Sequence, residues 1–153
     1  MHFVFKNFEA LAVTELYQIY ELRSKVFVVE QDCAYQDPDD KDLLAFHLLM
    51  FEGTVFTGYC RILPPGLSYS EPAIGRVVVE KKFRGAGSGQ KLMKHSIHKT
   101  MELFKNQDIV ISAQSYLISF YTQLGFISEG SEYLEDNIPH VKMRYKKTDN
   151  CSV

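Results

Sequence analysis

At 153 residues the chain can bury one sizeable core, and its 19 acidic against 17 basic residues exclude the strongly basic surface with which nucleic-acid binders neutralise phosphates. No run approaches the ~18 apolar residues of a membrane span, and the N-terminal HFVFKNFEAL lacks the charged start and long apolar stretch of a secretory leader. Cys33, Cys60 and Cys151 are odd in number, scattered and without a CxxC pair, so a reduced cytoplasmic protein is expected, with no disulfide framework and no zinc site.

His2 to Phe5 reads as a first strand. Thr14 offers an N-cap for a helix running to about Val28, because Leu16, Ile19, Tyr20, Leu22 and Val26 recur at spacings of three and four. The Asp- and Pro-rich EQDCAYQDPDDKD is a loop, and FHLLMFEGTVFTGYCRIL reads as two strands joined at Glu52-Gly53. Pro64-Pro65-Gly66 ends that hairpin, GLSYSEP is a surface loop, and AIGRVVVE resumes as a strand. Gly85, Gly87 and Gly89 then precede a helix with Met93, Ile97, Met101 and Phe104 on one face. Asp108 to Ala113 is an apolar strand, SYLISFYTQL a short helix stopped by Gly125, and strands follow at Ile127 to Leu134 and Val141 to Tyr145. The order from Ala73 to Ala113 is a βαβ unit, which requires two parallel strands in an otherwise antiparallel sheet and an α+β fold. No linker divides the chain, so one domain over residues 1–147 with a disordered tail at 148–153 is expected.

The glycine loop is the most informative stretch. A helix N-terminus offers unpaired N–H groups and partial positive charge, and glycines before it allow close approach of an anion such as phosphate. A tight connection needing φ > 0 would account for one or two glycines. GAGSGQK lacks the lysine that follows the last glycine of a Walker loop, and Gln90 stands where the GxGxxG dinucleotide fingerprint has its third glycine.

RGAGSG, Arg84 to Gly89, resembles the R-x-x-G-x-G signature of the GNAT acetyltransferases, preceded by the strand GRVVVE and followed by a helix and by FYTQLGF, which is similar to the family's F-Y-x-x-x-G-F element. VFVVEQDCAY, GRVVV, the AQ of ISAQSYL and YLEDNIPHVKM resemble the ElaA-type subgroup, and the resemblance covers nearly the whole chain. Asn137 stands where relatives often have glycine in EDGIPH, and asparagine also tolerates αL turns. The resemblance implies a mixed, mostly antiparallel twisted sheet with one parallel βαβ pair, flanked by about four helices. It also implies an acetyl-CoA-dependent N-acetyltransferase without a metal, acting on a primary amine of a small molecule or peptide by direct attack in a ternary complex.

Carried over residue by residue, the backbone of Val77, Val78 and Val79 would pair with pantetheine. Amides of Arg84, Gly85, Ala86, Gly87, Ser88 and Gly89 would take the pyrophosphate, and Gln114 would bond the cofactor or tie down its strand. Tyr121 would be the general acid that protonates the departing thiolate, as a phenol with a reference pKa of about 10 can at neutral pH. Candidates for the base or relay are Glu30 and His140, with His47 and Asp136 also eligible. Acceptor-binding candidates are Glu30, Arg76 and Asp136; Arg76 would hold a substrate carboxylate or, more plainly, pair with a buried acid such as Glu30. His95 and His98 sit on a lysine-rich helical face, so no metal site is assigned.

Glu30 to Asp42 holds six acids against Lys41, and Glu132, Glu135 and Asp136 cluster later. If both segments flank the acceptor, a cationic amine is expected; a solvated acidic loop is the plainer reading. Neither Cys33 nor Cys60 has an activated-nucleophile setting, which disfavours an acetyl-cysteine route. The competing class is a non-catalytic acyl-CoA-binding or sensor module on the same fold. A nucleotide-binding interaction protein is left without its motifs, and a homodimer stays open.

Overall fold

The computed structural model describes residues 1–105 and 107–147; Cys151 and the expected tail at 148–153 lie outside the described residues. The strands are β1 (His2–Asn7), β2 (Phe46–Glu52), β3 (Val55–Leu63), β4 (Ala73–Val79), β5 (Ile109–Gln114), β6 (Phe126–Glu135) and β7 (Ile138–Tyr145), and the α-helices are α1 (Val13–Arg23), α2 (Ser88–Leu103) and α3 (Ile118–Gln123). They build one seven-stranded sheet in the order β1-β2-β3-β4-β5-β7-β6. β4 and β5 are parallel and every other neighbouring pair is antiparallel, as the βαβ reading requires.

Alternation sorts the central strands between two buried faces. Leu48, Met50, Cys60 and Ile62 pack on one side with Leu92, Met93 and Ile97 of α2 and Tyr121 of α3. Leu49, Tyr59 and Val78 pack on the other with Ile19 and Leu22 of α1. Because both faces are covered, β2 and β3 read as nearly continuous apolar runs. The β6–β7 connection uses Asp136 (φ 49) and Asn137 (φ 61), a two-residue turn with both φ values positive.

Two expectations about helices are corrected. Among the described residues three α-helices flank the sheet, and α1 passes at Ser24–Glu30 into a π-helical turn, closed by bonds from Gln31 N–H to the Val26 carbonyl (3.1 Å) and from Cys33 N–H to the Val28 carbonyl (3.0 Å). Nor is Thr14 the cap: the helix begins at Val13, and the Glu15 carboxylate takes the N–H of Ala12 at 2.8 Å.

A buried ionic network ties α1 to the sheet. Arg23, with 0% exposure, donates from Nε to Asp37 (2.7 Å) and from Nη1 to Asp42 (2.8 Å), and Arg61 of β3 shares Asp42 at 2.8 Å while pairing with Asp39. Burial alone would raise the Asp42 carboxyl, but Arg23 and Arg61 prevail and hold it down at about 2, below its ordinary 3.8. Removing one member leaves buried opposite charges unpaired. Arg23→Met is therefore expected to lower unfolding free energy by about 3–5 kcal/mol in urea titration. With the folded value depressed, the Asp42 contribution is complete above pH 3.8 and is lost as pH falls through about 2, a limb that Asp42→Asn should flatten.

Candidate active site

β4 and β5 touch in register only at Ala73 and Val110, so beyond Ala73 the two parallel strands separate. A β-bulge sits at the same place: Gly75 and Val78 face Arg61 and Tyr59, so Arg76 and Val77 oppose Cys60 alone. Arg76 occupies the left-handed region at φ 51, a strain of roughly 1–3 kcal/mol in a residue with a Cβ. A bulge bends its strand, and here the bend lies beside the opening. The resulting cleft has a volume of about 790 Å³ and is walled by Val77, Val78 and Val79 on one side and by Gln114, Tyr121 and His140 on the other. That volume is within the range of small-molecule sites.

At one end lies the glycine loop. Gly85 (φ 90) and Gly87 (φ 75) are left-handed, and a Cβ added to either would have no neighbour within 4 Å. Their first role is thus conformational, which turns the chain into the 16-residue α2. Gly89 differs: its Cβ would stand 3.4 Å from the Phe120 ring, so this glycine sets the helix against α3. The first helical bond runs from Lys91 N–H to the Gly87 carbonyl (3.0 Å), so the N–H groups of Ser88, Gly89 and Gln90 precede any intrahelical acceptor. Gly85, Gly87, Ser88 and Gly89 line the cleft; Ala86 belongs to the same loop without lining it.

Arg84 donates from Nε to the Val79 carbonyl (2.8 Å), and its other nitrogens grip the Glu30 carboxylate at 2.5 and 3.1 Å. The arginine that the signature assigns to the loop thus spans from β4 to the π-helical turn. Glu30 is held as a carboxylate by the Arg84 hydrogen bond, which lowers its pKa. An acid so held is poorly disposed to accept a proton.

Tyr121 is 7% exposed, with its ring edge-on to Phe120 and Phe126. Burial pushes its hydroxyl above the ordinary 10, assisted by Cys60 and Tyr116. Gln114 and Gln31 exchange side-chain hydrogen bonds at 3.2 and 3.4 Å across the cleft floor. His140 donates from Nδ1 to the Ile138 carbonyl (2.6 Å) and turns Nε2 to within 3.2 Å of Glu135. Glu135 also accepts from Ser112 Oγ (3.1 Å), which itself contacts the Tyr133 hydroxyl. This Ser112–Glu135–His140 group was not legible as a unit, because it forms only when β5 pairs with β7 and β7 with β6. Asp136 lines the cleft from the adjacent turn, and its carbonyl accepts from Cys33 Sγ at 3.4 Å.

Other expected residues are engaged elsewhere. His47 is buried between Tyr59 (2.7 Å from Nδ1) and the Asp42 carbonyl (3.0 Å from Nε2), outside the cleft lining. The carbonyl can only accept, so Nε2 carries the proton and Nδ1 accepts from Tyr59. Burial lowers its pKa, and His47 is a neutral structural group. Arg76 pairs with Asp37 rather than Glu30, at 2.8 Å. Four of the six acids of the loop are tied down, Asp37, Asp39 and Asp42 by Arg23, Arg61 and Arg76 and Glu30 by Arg84, while Asp32 and Asp40 are exposed.

Residues 18–147 match the family model described as an acetyltransferase (GNAT) domain. The chain belongs to the GNAT family. It is 41% identical over 146 residues to a UPF0039 protein of Schizosaccharomyces pombe, covering 94% of this chain and 96% of that relative. It is 38% identical over 135 residues to protein ElaA of Escherichia coli, covering 87% and 88%. The solved structure of Escherichia coli ElaA superposes with a TM-score of 0.88 over 95% of this chain and 99% of that chain at 34% identity. An acyl-CoA N-acyltransferase from Pseudomonas aeruginosa superposes with a TM-score of 0.88 over 94% and 98% at 36% identity. This GNAT chain is accordingly an acyltransferase on the family's fold, and the ElaA-type resemblance holds.

The glycines of this GNAT loop should separate by conformation. Gly87→Ala is expected to cost roughly 1–2 kcal/mol, since a Cβ is forced into the left-handed region, whereas Gly89→Ala should remain within about 1 kcal/mol of the parent. Urea unfolding of the two variants checks the difference.

Proposed function

We propose that this protein is an acetyl-CoA-dependent N-acetyltransferase that acylates a primary amine of a small molecule or peptide by direct attack in a ternary complex. The observation that carries the reading is the opening between β4 and β5, which runs from the N-terminus of α2 to the Tyr121 hydroxyl. Acetyl-CoA supplies an activated thioester. The edge of Val77 to Val79 that β5 leaves unpaired, with the Val79 carbonyl held by Arg84, is suited to pairing with the amide arms of pantetheine, and the unpaired N–H groups of Ser88, Gly89 and Gln90 to its pyrophosphate.

In the transfer, the amine nitrogen bonds to the thioester carbon, the C–S bond breaks, and one N–H proton must leave while the thiolate gains one. Tyr121 keeps its proton throughout the neutral range because burial raises its pKa, so it serves as the donor to sulfur. His140 is our choice as base or relay. With Nδ1 committed to the Ile138 carbonyl, Nε2 and the Glu135 carboxylate 3.2 Å from it form a pair through which the amine proton can be relayed. Cys60 is excluded as a nucleophile because burial pushes its thiol up to about 12. Scattered cysteines and the absence, among the described residues, of a helix long and apolar enough to cross a membrane agree with a cytoplasmic setting.

Coenzyme A at about 100 times its Kd should add about 2.7 kcal/mol to unfolding free energy, read as a thermal shift. A shift with ATP or NAD but not with coenzyme A would overturn the assignment. Tyr121→Phe should retain that shift while the single-turnover acetylation rate falls by up to about 10²- to 10⁴-fold. His140→Gln should likewise slow the chemical step and spare coenzyme A binding. Because Tyr121 is raised above 10, the parent rate should show no decline from phenol ionisation below that pH.

A further inference from the structure

Besides the glycine loop, the cleft lining carries charged side chains of both signs from different elements. On the β4 side stands Arg76. Its Nη2 donates to the Asp37 carbonyl at 3.0 Å, its Nε lies 2.8 Å from Asp37 Oδ1, and the Tyr35 ring packs on the guanidinium with its centroid 5.8 Å away. Nη1 makes no hydrogen bond among the described residues, and the side chain is 25% exposed, into the cleft. On the other wall stand Glu135 and Asp136, carried by the β6–β7 turn.

Holding Asp37 does not by itself require Arg76 to be strained. Arg23 already donates to both the carboxylate and the carbonyl of Asp37. The left-handed φ of 51 departs from strand geometry at the point where the two parallel strands part. A strained, non-glycine residue persists where its surroundings over-determine it, and such residues cluster at ligand clamps. Nη2 is held by the Asp37 carbonyl, Nε lies against the Asp37 carboxylate without a hydrogen bond, and Nη1 is left without a partner among the described residues, available to one oxygen of an incoming carboxylate. Asp39, 3.5 Å from Nη2 and partly exposed, opposes an incoming anion, but both of its oxygens are taken by Arg61. Lys41 also lines the cleft, with its Nζ donating to Ser68 Oγ at 2.7 Å.

We infer that the acceptor is an amino-acid-like zwitterion, whose carboxylate is bound by Arg76 while its amino group lies toward Glu135 and His140. This rests on the N-acetyltransferase reading and narrows it, and it replaces the expectation of a purely cationic acceptor. Arg76 is then a specificity-determining residue that touches the non-reacting end of the substrate.

Matched pairs test it: lysine against cadaverine, phenylalanine against phenethylamine, and glycine against methylamine. Each is assayed by thiol release with acetyl-CoA, and by calorimetric binding to the coenzyme A complex. In the parent protein kcat/KM should favour the amino acid of at least one pair by about 10- to 100-fold, the value of a charged hydrogen bond in a desolvated site. Arg76→Met should reduce that preference to less than about threefold, mainly through KM, with kcat/KM falling less for the decarboxylated amine than for the amino acid. Arg76→Lys, which keeps the charge, should retain part of it, and it serves if the Met variant does not fold.

Transfer to amines at rates equal to or above those of the amino acids, unaltered at Arg76→Lys or Arg76→Met, would overturn the carboxylate site and leave the transferase intact. Arg76-dependent binding of an amino acid with no thiol release in any pair would support the carboxylate site and overturn the transferase. Neither binding nor transfer of any amino acid would overturn this proposal whichever amines react.

Discussion

With Arg76 and Val77 of β4 set against Cys60 alone on β3, the central strand carries one residue more than its partner between the flanking pairs, and much of the rest is arranged around that surplus. The strand bends where it would otherwise continue to pair with β5, and the parallel pair stops at Ala73 and Val110. The backbone so released forms one wall of the cleft. The same irregularity turns Arg76 toward Asp37, and through Asp37 and Arg23 links the bulge to helix α1. Opening, arginine placement and helix docking are therefore not separate features.

Charge in this protein is mostly fixed in place rather than spread as a field. Arg23, Arg61 and Arg76 meet Asp37, Asp39 and Asp42 in a network that is largely out of water, where unpaired charges are costly and well-bonded ones are held in one geometry. Arg84 and Glu30 repeat the device nearer solvent, joining the glycine loop to the π-helical turn. Such networks give the cleft rigid walls with localised polarity, which suits the positioning of two substrates better than long-range attraction does.

Much of the fold was legible because its elements announce themselves locally. Gly53 at φ 57 and Asn137 at φ 61 stand in turns recognisable from residue type, and the apolar runs of β2 to β5 give their strands directly. The βαβ order made a parallel pair unavoidable. Helix α1 was less well read: Thr14 looks like a cap, but the chain enters the helix earlier, with Glu15 reaching back to Ala12. The π-helical turn has no signature in apolar spacing, since Val26 still falls on the buried side when the winding widens.

The sequence by itself determined the glycine loop, the helix behind it, the aromatic pair Phe120-Tyr121 and the family they belong to, because each depends on backbone rules or on short motifs read along the chain. Only the tertiary structure decided which charges are partners and which are free. Glu30 and Arg84 are 54 positions apart, Arg76 and Asp37 are 39, and Ser112 and Glu135 are 23. Composition counted the acids of the loop correctly, yet it could not show that arginines from α1, β3 and β4 converge on them. Pairing is set by strand register and by one surplus residue in β4, and those are properties of the assembled sheet rather than of any local stretch.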